Sequence, residues 1–292
     1  MSALHVCHSE QSAQRGVSES CHDHRGPMLP NSTNRAITRE VAQVLNGLNT
    51  RFYAEHAASF SATRHSSWSG WDAALDAAGL VEAPRRVVDV ACGNMRFADY
   101  LVERFPEGLT AYIGVDNCID LASSAEHHQS TLSFKECDII GCLIENIPLE
   151  LPAGDLVVCS GFMHHVPGGD RRLRLLVELL QALEPGGTLV VSFWQFMADE
   201  RLARKALALT PLALEELGLA ADDLEPGDYV LGWQDSQSAR RYCHSFTVDE
   251  VRALAHAARS QLERDFDFEF LEADGRSGRL NCYLVARELA RS

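Results

Sequence analysis

The segment Val87-Val88-Asp89-Val90-Ala91-Cys92-Gly93-Asn94-Met95-Arg96-Phe97 reads as a short buried strand, an acid near its tip, a turn of small residues and the start of a helix. That succession commits the chain to an α/β architecture. A second apolar stretch, Ala111 to Val115, ends in Asp116. An acid at the tip of a second parallel strand is where a carboxylate takes both hydroxyls of a ribose, and the first turn lets a ligand lie against backbone. The two features together point to a nucleoside-containing cofactor.

The turn decides which one. A dinucleotide fingerprint needs glycine where this chain has Ala91 and Arg96, because the last glycine permits close helix–strand packing. NAD and FAD are thereby disfavoured. Read as Asp89-Val-Ala91-Cys-Gly93-Asn-Met95, the loop resembles the D-x-G-x-G-x-G motif of the Rossmann-like S-adenosylmethionine-dependent methyltransferases. Only the central glycine of that motif is kept. Met95 is the larger departure, since a side chain there either crowds a ligand or pays for a left-handed backbone.

The rest of the core alternates. Strands are expected at Arg86 to Val90, Ala111 to Val115, Leu132 to Cys137, Asp155 to Ser160 and Thr188 to Phe193, with helices Phe97 to Phe105 and Arg171 to Leu183 between them. Glu184-Pro185-Gly186-Gly187 is read as a helix stop and turn. Phe266 to Leu271 and Leu280 to Ala286 form a final antiparallel pair. The expected fold is α/β, a doubly wound, mostly parallel seven-stranded sheet with an antiparallel last strand and a helical insertion before the final strands.

Four regions follow along the chain. Residues 1–33 read as a disordered tail whose His5, Cys7, His8, Cys21, His22 and His24 fit no zinc spacing, and no metal site is expected. Residues 34–80 supply an amphipathic helix over Arg35 to Leu48, a second around Trp71 to Ala78, and between them a cofactor lid in which Arg64 grips a carboxylate bidentately. The core occupies 81–194 and 248–292. Residues 195–247 form an insertion at the mouth of the site, read as the substrate-recognition element.

Composition narrows the setting. The chain's 292 residues carry nine cysteines and a net charge of −15. Scattered cysteines without a CxxC pair suit a reducing compartment, and neither a leader nor a membrane-length apolar run is visible in the sequence. A cytoplasmic protein is expected. Strong acidity opposes long-range attraction to polyanions, so a nucleic-acid substrate would need a local basic path.

Further candidates sit at strand ends. Cys137-Asp138-Ile139 follows the third strand, where the methyltransferase resemblance implies that Asp138 takes the adenine amino group and Ile139 covers the ring. Asn117, beside Asp116, and Ser160, at the exit of the fourth strand, join Asp89, Ala91 and Gly93 as expected cofactor contacts. The same exit carries His164 and His165, and His165 is the candidate for proton handling or for holding the acceptor. In the insertion, Arg240, Arg241 and His244 form a compact site for a carboxylate or phosphate, with Tyr242 beside them; a plain solvated charge pair is the alternative.

The order D-V-A-C-G-N-x-R-F, G-V-D-N, C-D, M-H-H, L-x-P-G-G, G-D-Y-V-L-G-W and R-R-Y-C-H-S-F-T resembles the tRNA wobble-uridine carboxymethyl methyltransferases, which include the methyltransferase domain attached to the AlkB-like tRNA hydroxylase. The likeness runs from Asn46 to Arg287. It implies S-adenosylmethionine as cofactor, a tRNA carboxymethyluridine as acceptor, and a small zinc-finger activator protein as partner. Cys243 stands where that family has an aromatic residue. Two other readings stay open: a small-molecule carboxyl or hydroxyl O-methyltransferase, and, because of Met95, a non-catalytic methyltransferase-like subunit.

Overall fold

The computed structural model describes residues 36–61, 67–118, 131–233 and 236–289. The described residues form nine strands, seven of them in one sheet: β1 (Arg86–Val90), β2 (Ala111–Asp116), β3 (Leu132–Glu136), β4 (Gly154–Cys159), β5 (Leu183–Trp194), β8 (Phe266–Ala273) and β9 (Asn281–Glu288), in the order β3-β2-β1-β4-β5-β9-β8. The remaining two, β6 (Asp228–Trp233) and β7 (Ser236–His244), form a separate hairpin. β1 to β5 pair in parallel, whereas β9 is antiparallel to both β5 and β8. The expected fold and its antiparallel ending are therefore present.

Continuous apolar runs make the central strands because both sheet faces are covered. Val88, Val90, Val157, Leu189 and Val191 pack on one side against α5 (Gly169–Gln181) and α7 (Val248–Ser260). On the other, Val87, Leu156, Val158 and Val190 meet α2 (Ser69–Ala77) and α3 (Arg96–Arg104). Leu175, Leu176, Leu179 and Leu180 of α5 are fully buried, each contributing about 1.5–3 kcal/mol of apolar burial.

Three local readings change. The Pro-Gly-Gly segment lies within β5 rather than before it. Gly186 takes a φ of +76°, and the pairing of β4 with β5 slips between Gly154 and Leu156. A glycine bulge absorbs the turn that a helix stop would have made. Second, Asp138 starts a short helix, α4 (Ile139–Glu145), by accepting the Gly141 N–H at 3.0 Å. Third, the N-terminal helix α1 (Arg39–Ser61) runs well past Leu48 into the expected lid.

The insertion is more than helical. It pairs α6 (Glu200–Leu217) with the β6–β7 hairpin, and Thr210 joins them: its hydroxyl donates to the Ala206 carbonyl at 2.7 Å and accepts the Val230 N–H at 2.9 Å. The hairpin in turn packs against α1 and the exit of β4.

Candidate active site

Ala91, Gly93 and Met95 have φ values of 62°, 53° and 55°. These alternate positions are the ones the motif fills with glycine, so the loop follows the left-handed path with two side chains that pay for it. The cost is about 1–2 kcal/mol per L-residue. At Gly93 an added Cβ would meet nothing within 4 Å, which leaves the outer face of the loop open. Met95 points the other way: it is 4 % exposed, and its Cε lies 2.6 Å from where a Cβ on Gly114 would stand. Gly114 thus makes room for the methionine inside the core, and Met95 does not crowd the ligand side.

Asp116 lies against this loop. Its carboxylate accepts the Gly93 N–H at 2.9 Å and the Cys118 N–H at 3.0 Å. Burial raises its pKa, with the backbone donors of Gly93, Cys118 and Asn117 pulling the other way. Asn117 itself is exposed. Deeper in the sheet, Asp89 accepts the Tyr112 hydroxyl; burial pushes its pKa up to about 7, opposed by that hydrogen bond. Arg96 stacks over Trp68 and Trp71 at 4.7 and 5.1 Å, and Trp71 Nε1 donates to Ser160 Oγ at 3.2 Å. An open glycine turn beside a strand-end carboxylate fits an adenosyl group, with Gly93 and Asp116 the residues to hold it.

Other expected contacts fare differently. Asp138 is exposed, but one carboxylate oxygen is committed to capping α4. Ile139 is 4 % exposed and packed in the core with Val90, Val115 and Met163, which leaves it little surface with which to cover a base. Ser160 is occupied by Trp71 on one side. Arg64 lies outside the described residues.

On the acceptor side, the exit of β4 turns through Met163–His165 and buries both histidines. His165 Nδ1 is 3.0 Å from the Tyr242 carbonyl and 3.2 Å from Asn49 Nδ2, while Nε2 is 2.8 Å from the Tyr53 hydroxyl. Either neutral tautomer is served. Protonated at Nδ1, the ring donates to the carbonyl and accepts from Tyr53; protonated at Nε2, it donates to the Tyr53 oxygen and accepts from Asn49. Asn49 Oδ1 also accepts the Tyr242 N–H at 2.7 Å, which fixes the amide. α1 therefore positions His165, a role the sequence reading missed. The signal was an Asn-x-x-Phe-Tyr stripe at positions 49, 52 and 53, with i, i+3 and i+4 spacing.

Strand alternation sorts the Arg-Arg-Tyr-Cys-His run into two faces. Arg241 is 5 % exposed, with its guanidinium 5.2 Å from Phe52, 5.2 Å from Trp233 and 5.7 Å from Trp194. Cys243 follows on that face, its Sγ 3.9 Å from His165 Nδ1. The opposite face carries Tyr242 and His244 into a buried ionic cluster. Asp228 accepts from the Tyr242 hydroxyl at 2.7 Å and from His244 Nδ1 at 2.6 Å; Glu250 accepts from His244 Nε2 at 2.8 Å; Arg172 reaches Glu225 at 2.8 Å.

This placement corrects one expectation. Both ring nitrogens of His244 are engaged inside the protein, and the ring is 1 % exposed, so it holds the hairpin and not an acceptor. Burial and Arg172 lower its pKa, but the hydrogen bonds to Asp228 and Glu250 outweigh them and hold it above the ordinary value. The adjoining glycine has a local reason too: at φ +96°, a Cβ on Gly227 would lie 2.7 Å from the His244 ring. Arg240 is held by Glu216 at 2.5 Å. Of the three insertion residues, the geometry leaves Arg241 on the face of β7 whose Cys243 meets His165.

Comparison with known proteins agrees with the loop geometry. Residues 88–191 match the family described as a methyltransferase domain. This stretch is a methyltransferase domain.

Among curated relatives, a methyltransferase-named protein of Encephalitozoon cuniculi is 27 % identical over 208 residues, covering 70 % of this chain and 82 % of that one. The tRNA (carboxymethyluridine(34)-5-O)-methyltransferase of Mus musculus is 26 % identical over 168 residues, 58 % of this chain and 22 % of its own length. A trans-aconitate 2-methyltransferase of Acidovorax is 33 % identical over 109 residues, 37 % of this chain and 38 % of its own. The chain thus spans less than half of the latter two. A solved S-adenosylmethionine-dependent methyltransferase from Methanosarcina mazei superposes with a TM-score of 0.51 at 20 % identity, over 73 % of this chain and 95 % of that one. The fold is that of the S-adenosylmethionine-dependent methyltransferases. Among the described residues, no helix of this methyltransferase is long and apolar enough to cross a membrane.

Proposed function

We propose that this methyltransferase esterifies a carboxylate, and that the carboxylate is the carboxymethyl group of a tRNA wobble uridine. The observation that carries the reading is Arg241, buried among Phe52, Trp194 and Trp233 on the face of β7 that adjoins His165. A guanidinium in an aromatic enclosure suits a planar base bearing a carboxylate, since the fork takes two oxygens and the rings take the base. The murine relative named for carboxymethyluridine supports the finer assignment.

S-adenosylmethionine supplies an electrophilic methyl group when bound. Gly93 and Asp116 would hold its adenosyl part. A carboxylate is ionised at neutral pH, so the chain has no proton to remove. Its work is alignment: Arg241 orients the acceptor, and His165, fixed by Tyr53 and Asn49, shapes the floor beneath it. Orientation of this kind is worth up to about 7–11 kcal/mol.

A second reading has its own support. The trans-aconitate 2-methyltransferase relative is named for a small polycarboxylate, and a net charge of −15 works against a polyanionic substrate. Both readings share the carboxylate. Mass spectrometry of nucleosides from carboxymethyluridine-containing tRNA, incubated with the protein and cofactor, separates them: conversion to the methyl ester supports the tRNA acceptor, and unchanged nucleoside beside a methylated tricarboxylate replaces it. Cytoplasmic location belongs to the same proposal. The zinc-finger activator that the resemblance implies has no support among the relatives named above.

A further inference from the structure

Three donors converge at the junction of β7 with the β4 exit. His164, His165 and Cys243 are all buried, and one ligand atom from each lies within 4.8 Å of the others. Cys243 Sγ and His165 Nδ1 are 3.9 Å apart. A tetrahedral zinc with ordinary Zn–S and Zn–N bonds holds such donors about 3.4–3.6 Å apart, so the cluster needs to close by less than the length of a bond. We infer that His164, His165 and Cys243 form a binding site for a soft divalent cation, of which Zn²⁺ is the fitting member.

The chemistry agrees at each ligand. Thiolate with imidazole is the donor set that favours zinc over magnesium or calcium, which take oxygen. The His165 tautomer needed for Nδ1 ligation carries its proton on Nε2, where the Tyr53 oxygen stands 2.8 Å away to accept it, and the metal replaces the Asn49 amide that otherwise donates to Nδ1 at 3.2 Å. A ligating histidine whose second nitrogen is tied in this way is the usual outer-sphere arrangement. On binding, Cys243 forms the sulfur–metal bond and its thiol proton leaves to solvent, with no change of oxidation state. The cluster supplies three ligands, which leaves a fourth position open. Because the metal would take His165, it should inhibit methyl transfer. Metal binding itself does not depend on which acceptor the methyltransferase uses.

The test is a titration of the full chain with Cd²⁺, a spectroscopic stand-in for Zn²⁺, followed by its ultraviolet thiolate-to-metal charge-transfer band and by equilibrium dialysis. Other cysteines and histidines of the chain also take Cd²⁺, so the readout is the difference between wild type and variants whose circular dichroism is unchanged. Cys243→Ala and His164→Gln should each bind about one equivalent fewer, and Cys243→Ala should lose the corresponding band. Zn²⁺ should displace the difference equivalent. Equal stoichiometry and equal band intensity in wild type and Cys243→Ala would overturn the inference. If Cys243→Ala does not fold, His164→Gln decides by the same stoichiometric criterion. Loss of this equivalent in a protein that methylates nothing would leave the metal site standing and remove only the catalytic reading.

Discussion

Asp228 Oδ1 lies 2.6 Å from Nδ1 of His244, with both side chains fully sealed from solvent. Arg172 is 3.8 Å from the same oxygen, so one carboxylate balances two cationic groups at the root of the hairpin. Removing it would leave Arg172 to Glu225 and His244 to Glu250 alone. Asp228→Asn should therefore lower stability by about 3–5 kcal/mol, read as a shift of the urea midpoint. A loss below about 1 kcal/mol would show that the cluster is not a determinant of stability.

The same pair sets a pH window. The His244 pKa is raised above its ordinary 6.5 by its two carboxylate partners, against burial and Arg172. Its stabilisation is present in full below pH 6.5 and is lost as pH rises through the folded value. Burial raises Asp228, but the His244 hydrogen bond and charge and Arg172 hold it below its ordinary 3.8. Its share is present above 3.8 and is lost as pH falls through the folded value. Denaturant midpoints against pH should decline on the alkaline side, and His244→Gln should flatten that decline. An unchanged slope in the variant would contradict it.

Much of the frame was legible in the sequence, because apolar runs punctuated by strand-end acids permit few other folds. Asp116 and Gly93 lie together as their spacing indicated. His244 was misread because a motif lists residues in order while a strand deals them alternately to two faces: Arg241 and Cys243 go to one, Tyr242 and His244 to the other. Asn49 and Tyr53 were missed for a different reason. Their contact with His165 spans more than a hundred residues, so the helical spacing of Asn49, Phe52 and Tyr53 shows that they share a face but not what that face meets.

Met95→Gly would restore the motif's glycine and relieve about 1–2 kcal/mol of left-handed strain. It would also forfeit a buried methionine, which costs about 2–5 kcal/mol. The variant should be less stable, yet its cofactor affinity by calorimetry should stay within about twofold, since the side chain points into the core. A gain in affinity of tenfold or more would mean that Met95 obstructs the ligand.

Ala91→Gly carries no such penalty, because only a methyl group is lost at a φ of 62°. A gain of about 1 kcal/mol in unfolding free energy is expected. Destabilisation would show that the loop does not hold Ala91 in the left-handed region.

Arg241→Lys keeps the charge and removes the bidentate fork, so kcat/KM for the acceptor should fall by about 10- to 100-fold. Affinity for S-adenosylmethionine should be unchanged. Equal activity of the lysine variant would place the acceptor elsewhere.

The most direct measurement concerns the bond that is made. With methyl-labelled S-adenosylmethionine and either carboxymethyluridine-containing tRNA or a small tricarboxylate, the incorporated label should be released as methanol by mild alkali, as a methyl ester requires. Label that is incorporated but survives alkali would mark a nitrogen, carbon or ether-oxygen acceptor and contradict esterification of a carboxylate.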